Sequence, residues 1–437
     1  DEEDRDARSQ FAMRFQQLTG PVAAKGVEDT AFYTYLRFVA LNEVGGDPAR
    51  FGTSVTELHA ASEARRERWP RTMLATSTHD TKRGEDVRAR LAVLSEIPDQ
   101  WSAWVRAWFG RLERHRAVID DEPAPSAADV YLFLQTVLGA WPLEPATPTV
   151  LGAYTERLIE YAVKAAREAK QRTSWLAPNE EYEDALRTLV RGAMGDEAFV
   201  ASVAERARAL APYGASNGLA LVALKIASPG VCDTYQGSET WDLRLVDPDN
   251  RRPVDYAALR RMAARLEGAR VADLRATFED GALKLHVLRQ GLRLRRREAA
   301  LFVEGSYEPV DAPDEIVAFR RRHAGASLVC AVTRLPHRIT RGRLPWAVGE
   351  AWGSRRVEVP AGTWLDVLSG RRHEIAGGGL AAARLFEELP VALLFAPAAA
   401  TRRAVPTGDQ APGSSGGSPA APRDGGRSST IPTTTSP

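Results

Sequence analysis

The sequence predicts an α/β fold with a helical middle and an all-β end, on three observations. Three short segments, Gly20–Gly26, Thr72–Asp80 and Ile226–Glu239, each join an apolar stretch to a polar cluster. Between the last two runs a long stretch whose apolar residues recur with a 3.6-residue period. Beyond about residue 303, short runs rich in Val, Leu and Phe alternate with turn signals. An apolar strand that ends in polar side chains and leads into a helix is the unit of a β/α barrel, whose catalytic face lies at the strands' C-terminal ends. Three such units make part of a barrel that needs eight strands.

Each element follows in chain order. Gly20-Pro21 punctuates the start, and Lys25-Gly26-Val27-Glu28-Asp29 forms the first polar cluster. Met73–Thr78 is the second apolar run and ends in His79-Asp80-Thr81-Lys82-Arg83. Trp101, Trp104, Val105, Trp108, Phe109 and Leu112 form a helical stripe over Trp101–Ala117, repeated in Tyr154–Ala169, Tyr182–Met194 and Asp196–Ala211. Asp196 suits the N-terminal cap of the last of these. Pro229-Gly230 precedes the third cluster, Asp233–Glu239. Strands are expected at Ile316–Arg320, Ser327–Thr333, Arg356–Val359, Gly362–Val367 and Leu385–Phe395, in a small sandwich. The expected divisions are 1–100, 101–225, 226–302 and 303–400. The Gly-, Pro-, Ser- and Thr-rich residues 401–437 are expected to be disordered.

Composition limits the function. With 44% hydrophobic and 26% charged residues, the 437-residue chain has material for two or three globular domains. A net charge of +1 disfavours a nucleic-acid partner held by phosphate neutralisation. Two cysteines, Cys232 and Cys330, exclude a disulfide scaffold and a cysteine-rich metal site. The seven histidines show no paired-ligand spacing, and no dinucleotide, P-loop or serine-elbow motif occurs, so no metal or cofactor is expected. No apolar run suits a membrane span and no charged-then-apolar leader opens the chain, so the expected location is cytoplasmic. The chain starts Asp1-Glu2-Glu3-Asp4 and its first Met is Met13, as in a processed or partial chain.

Three constellations carry possible chemistry. His79 and Asp80 arrive together at the end of one apolar run; the plainer alternative is that Asp80 caps the next helix and His79 packs beside it. Lys25, Glu28 and Asp29 crowd one turn and suit acid/base work, or else a salt-bridged helix start. Lys170 to Trp175 offers an indole beside hydrogen-bonding groups, which suits sugar C–H faces and hydroxyls, or else a core Trp at a helix junction. Lysine is rare: six of the 58 basic residues, and Lys25, Lys82 and Lys170 all sit in these clusters. Arg289, Arg293, Arg295, Arg296 and Arg297 read as a solvated helix face rather than an anion site.

Taken together, Phe15–Tyr33, Ser77–Arg90, Thr173–Trp175, Pro178-Asn179, Tyr182-Glu183, Asp247–Tyr256 and Leu389–Leu394 resemble maltooligosyl trehalose synthase, of the α-amylase family (glycoside hydrolase family 13). The resemblance spans roughly 10–398. It implies a partial (β/α)8 TIM barrel, with Gly20–Lys25 as strand six, Thr72–Asp80 as strand seven and Ile226–Gln236 as strand eight. A large helical insertion would separate the last two, and a β-sandwich would follow. It also implies that Asp80 is the third catalytic carboxylate, gripping the distorted sugar at the cleavage point, and that His79 hydrogen-bonds that sugar. Lys25, Glu28, Asp29, Lys82, Arg83, Lys170 and Trp175 would contact the glucan. Val231-Cys232-Asp233 departs from the family's frequent Val-Pro-Asp.

The implied activity is isomerisation: the reducing-end α-1,4 bond of a maltooligosaccharide becomes an α-1,1 trehalose linkage by retaining transglucosylation. Such chemistry uses an Asp nucleophile and a Glu acid/base about 5 Å apart. In the family both precede strand six, and here about 15 residues precede that motif. The chain is therefore expected to be the C-terminal portion, inactive alone. Its implied partners are the maltooligosaccharide, the N-terminal half, and in the pathway maltooligosyl trehalose trehalohydrolase. The alternatives are a non-catalytic glucan-binding remnant, a helical interaction protein, or a 4-α-glucanotransferase or amylase.

Overall fold

In a computed structural model of the chain, residues 2–398 are described, with Glu2 and Glu3 by backbone alone; the tail 401–437 lies outside the described residues. The α-helices of eight residues or more start mostly where the sequence supplies a cap. After α1 (Glu2–Ala23), α2 (Val55–Arg68) opens with a capping box between Ser54 and Glu57. The next two, α3 (Glu85–Ala92) and α4 (Pro98–Leu112), lead into α5 (Ala127–Gly139), capped by Ser126. Thr147 caps α6 (Pro148–Ala169) and Asn179 caps α7 (Glu180–Gly195). Asp196 caps α8 (Glu197–Ala227) by accepting from the Ala198 and Phe199 amides, as its position suggested. Then come α9 (Tyr256–Arg265) and α10 (Ala282–Arg297).

At 31 residues, α8 is about 46 Å long and serves two cores. Its first half buries Phe199, Val203, Ala207 and Leu210 with Trp108, Leu134 and Tyr154 of the helical region. Its second half buries Ala215, Leu219, Val222 and Ile226 against α10 and one face of the end sheet.

The parallel pairing among the described residues is short. Strand β1 (Met73–Leu74) precedes the hairpin β2 (Ala117–Ile119) and β3 (Glu122–Ala124), and pairs in parallel with β4 (Val231–Cys232). The Val231 amide donates to Thr72 and the Asp233 amide to Leu74, at 2.8 and 2.9 Å. Gly230 makes this approach possible, since at φ +131° a Cβ would stand 2.9 Å from the Thr72 carbonyl. The expected strand at Gly20–Lys25 is not a strand. The segment closes α1 and opens a π-helical stretch, Ala24–Ala31. Its short apolar run, Val22-Ala23-Ala24, carries no period that separates strand from helix, and Ala favours helix. Pro21 removes one helical N–H, and the next turns widen. Ile226 and Ala227 likewise end α8 rather than start a strand.

The end region forms a six-stranded antiparallel sheet in the order β10-β9-β12-β7-β6-β5. Its strands are β5 (Glu308–Pro309), β6 (Ile316–His323), β7 (Ala326–Thr333), β9 (Gly362–Asp366), β10 (Arg372–Ile375) and β12 (Val391–Ala396). A ribbon of β8 (Arg356–Val357) and β11 (Leu380–Ala381) supplies the second sheet. Side chains alternate strictly. Leu328, Cys330, Val332, Val391, Leu393 and Phe395 face α8 and α10. Val329, Ala331, Ala392 and Leu394 face Trp352, Val357 and Phe386. The sandwich is therefore lopsided, with helices covering one side of its large sheet. Arg295 also departs from a solvated helix face, because it donates to the Ile226 and Gly230 carbonyls beneath β4.

Candidate functional site

Past β1 the chain turns sharply. The Thr81 hydroxyl donates to the Thr78 carbonyl at 3.0 Å and the Asp80 amide donates to the Thr78 hydroxyl at 3.2 Å. The turn lifts His79 and Asp80 outward at the C-terminal end of the parallel pair. Asn250 clamps it from outside, its amide nitrogen 3.2–3.4 Å from the carbonyls of Thr78, His79 and Thr81, with Arg251 Nε 3.2 Å from that of His79. Asp80 does not cap α3, whose N-cap is Gly84. His79 is exposed and the Asp80 side chain is 43% exposed.

One buried ammonium organises the carboxylates. Lys82 Nζ, on a side chain 2% exposed, lies 3.0 Å from Asp29 and 3.4 Å from Asp80. Asp29 also pairs with Lys25. Burial alone would raise the Asp29 carboxyl, but hydrogen bonds from Lys25 and Lys82 hold it below its ordinary value. Burial alone would depress the Lys82 ammonium, but Asp29 and Asp80 raise it above its ordinary value. Asp29 thus stays ionised at neutral pH and is not poised to donate a proton. The Lys170 ammonium donates to the Thr30 hydroxyl at 2.8 Å, tying the end of α6 to the same stretch.

The remaining expected residues lie apart from this group. Glu28 accepts from the Gly45 amide at 3.2 Å. Trp175 is 52% exposed, so it is not a core residue, and the Arg167 guanidinium lies 4.9 Å from its ring centroid. Among the described residues no hydrogen bond or ion pair joins Glu28 or Trp175 to Asp80. Two expected glucan contacts are buried: Lys82, 1% exposed, spends its ammonium on Asp29 and Asp80 instead of offering it outward, and Arg83 differs most from expectation. It is 1% exposed, with its guanidinium donating to the Tyr161 hydroxyl and the Val39 carbonyl, so in this arrangement it braces the site from inside rather than offering a glucan contact.

Several supporting partners, among them Glu43, Lys225, Asp242 and Lys284, lie outside every motif quoted above. Glu43 accepts from the Lys82 and Arg83 amides at 2.9 and 3.2 Å. Beneath the turn, Lys284 Nζ sits 2.6 Å from Glu85 and 2.5 Å from Asp86. Lys225 donates to the Thr76 hydroxyl at 2.9 Å. Asp86 accepts from the Asp242 amide at 2.7 Å, and the Ser77 hydroxyl donates to Asp242 at 3.1 Å. The scarcity of lysine was the available signal: all six ammonium groups contact a specific partner.

The arrangement presents an exposed imidazole and a pinned, half-open carboxylate side by side, which suits gripping hydroxyl groups. Among the described residues no group of three His, Cys, Asp or Glu could hold a metal ion, and no helix is long and apolar enough to cross a membrane.

No family model matches the chain. A Mycobacterium tuberculosis protein named as a candidate maltooligosyl trehalose synthase is 41% identical over 391 residues, which are 88% of this chain and 45% of that protein. The solved maltooligosyltrehalose synthase of Arthrobacter ramosus superposes with a TM-score of 0.73 at 37% identity, over 88% of this chain and 46% of its own. A hypothetical maltooligosyl trehalose synthase of Sulfolobus tokodaii gives 0.68 at 28% identity, over 90% of this chain and 48% of its own. The chain spans about half the length of the relatives it matches, and over that half it belongs to the maltooligosyl trehalose synthase family.

Proposed function

We propose that this chain carries the sugar-gripping part of a maltooligosyl trehalose synthase site, with Asp80 as the third catalytic carboxylate and β1 and β4 as barrel strands seven and eight. The observation that carries this reading is the pinned Asp80 beside exposed His79, at the C-terminal end of a parallel strand pair. Asp80 accepts hydrogen bonds from hydroxyl groups of the sugar at the cleavage point and favours its positively charged transition state. His79 hydrogen-bonds the same ring. Lys82 keeps Asp80 in one position, and Lys25, Asp29, Lys170, Glu28 and Trp175 extend the contact surface.

The full reaction needs two further carboxylates. An Asp attacks the anomeric carbon while a Glu protonates the leaving oxygen of the reducing-end glucose, leaving a covalent glycosyl ester. The freed glucose stays caged and turns. The Glu takes its anomeric hydroxyl proton, that oxygen attacks the ester's anomeric carbon, and the Asp leaves. Water must be kept out, because it would capture the ester instead. In this reading a second polypeptide segment supplies the Asp and Glu, and the chain alone does not turn over. Linkage analysis of maltopentaose incubated with the chain alone should find no trehalose-ended product. Product at an ordinary enzymatic rate would overturn the division of labour. Transfer to new α-1,4 chains, or hydrolysis, would favour a glucanotransferase or amylase.

A further inference from the structure

A second concave site lies among α6, the 240–252 loop and the turn before α10, with none of the Asp80 group in its lining; its volume is about 410 Å³. Arg157 lines it on α6, while Lys170, which meets the Asp80 group's neighbour Thr30, lies about 20 Å farther along the same helix. The geometry points to this cavity as a second binding site for an α-glucan chain, an inference that rests on the glucan reading above.

Its wall carries a fixed donor. The Arg157 guanidinium holds both Asp249 carboxylate oxygens at 2.8–3.1 Å and the Leu243 carbonyl at 2.8 Å. Those bonds use Nε and Nη2, so Nη1 has no partner among the described residues. Glu144 and Glu279 also line the cavity, are exposed, and carry carboxylates with no ion pair or hydrogen bond among the described residues. Trp241, Leu143 and Val150 supply apolar surface.

The lining as a whole mixes both signs, with Arg157, Arg244 and Arg252 beside Glu144, Asp249, Glu279 and Asp280, so it favours neither class of ion. An anion drawn to Arg157 meets Glu144 and Glu279, and a cation drawn to those carboxylates meets Arg157. A neutral polyol satisfies all three, with hydroxyls donating to the carboxylates and accepting from Nη1 while its C–H faces cover the apolar groups. The volume sits near the low end of ligand pockets, roughly 300–1,000 Å³, with room for about one or two sugar rings. The cavity also meets a larger one of about 840 Å³, which shares Pro142, Leu143, Glu144 and Glu279 and adds Arg208 and the edges of Phe278 and Trp346. Two adjoining cavities of that combined volume suit a chain of sugars rather than a single one.

Calorimetric titration of the full chain with maltoheptaose tests this with three variants. Ala153, exposed in the cavity lining, is replaced by Trp to plug it, Glu144→Gln/Glu279→Gln weakens it, and Asp80→Asn disables the other site. Expected are two classes of binding in the wild type. One is lost in Ala153→Trp, is weakened about tenfold in Glu144→Gln/Glu279→Gln, and persists in Asp80→Asn. Wild-type isotherms for both cavity variants would overturn the second site and leave the Asp80 reading standing. Loss of all binding in Asp80→Asn would also overturn it. No binding by the wild type would overturn both.

Discussion

Replacing Lys284 with Met tests the charge cluster that supports the His79–Asp80 turn. The Lys284 side chain is fully buried, 2.6 Å from Glu85 and 2.5 Å from Asp86, and it donates to the Thr240 carbonyl at 3.0 Å. Met keeps most of the stem and removes the charge. Burial already pushes the Asp86 carboxyl up to about 6 despite Lys284, with Glu85 adding to the rise. For Glu85, burial opposes ionisation, but Lys284 and Lys225 hold its carboxyl down at about 2. Removing one partner of a buried pair costs about 3–5 kcal/mol. Lys225 remains 3.9 Å from Glu85, so the expected loss at neutral pH is at the lower end, about 3 kcal/mol.

The loss has a pH signature. A carboxyl whose folded pKa lies above its unfolded value favours the fold when protonated, and that contribution disappears as pH rises through the folded value. Without Lys284 the Asp86 carboxyl moves further up, so the deficit grows above pH 6. Every tenfold gain in the folded carboxyl's proton affinity adds about 1.4 kcal/mol to the deficit above pH 6, so the deficit is smaller at pH 5 than at pH 8. Urea unfolding followed by far-UV circular dichroism at the two pH values measures it. Asp86→Asn in the Lys284→Met background should restore part of the loss at pH 8. An equal deficit at both pH values, or one below about 1 kcal/mol, would refute the assignment of Asp86 as the stranded charge.

Two other perturbations have definite outcomes. Asn250→Ala removes the clamp on the carbonyls of Thr78, His79 and Thr81. Hydrogen exchange should accelerate in residues 78–83 for a global loss of only about 1–2 kcal/mol, and unchanged exchange there would contradict the clamp. Gly230→Ala forces a Cβ against the Thr72 carbonyl at φ +131° and should cost about 1–3 kcal/mol, with β1 and β4 losing exchange protection first; wild-type stability would show that the parallel pair tolerates separation.

The parts of the fold that were legible had periodicity. The stripe of Trp101, Trp104, Val105, Trp108 and Leu112 recurs as the buried face of α4, and β7 and β12 show their alternation in the core on both sides of the sheet. Gly20–Lys25 misled because a short Val-Ala-Ala run lacks a period, and a strand there needs a neighbour to satisfy its backbone. Strand β10 carries no local signal, because Arg372 and Glu374 are exposed and no apolar run marks it. At the candidate site, motif residues announced His79, Asp80 and Lys82, whereas the role of Arg83 depends on Tyr161, 78 residues away. Glu43 reaches the Lys82 amide across 39 residues, a pairing that local sequence does not encode. Lys284 and Lys225 resemble ordinary helix residues until α10 and α8 close over Glu85 and Asp86.

The most direct measurement is the imidazole resonance of His79, one of seven histidines, in a maltopentaose titration. Exposed and beside Asp80, it should shift on binding, and Asp80→Asn should abolish that shift while leaving the fold intact. A His79 signal that stays fixed while maltopentaose saturates the chain would contradict the placement of the cleavage-point sugar at this turn.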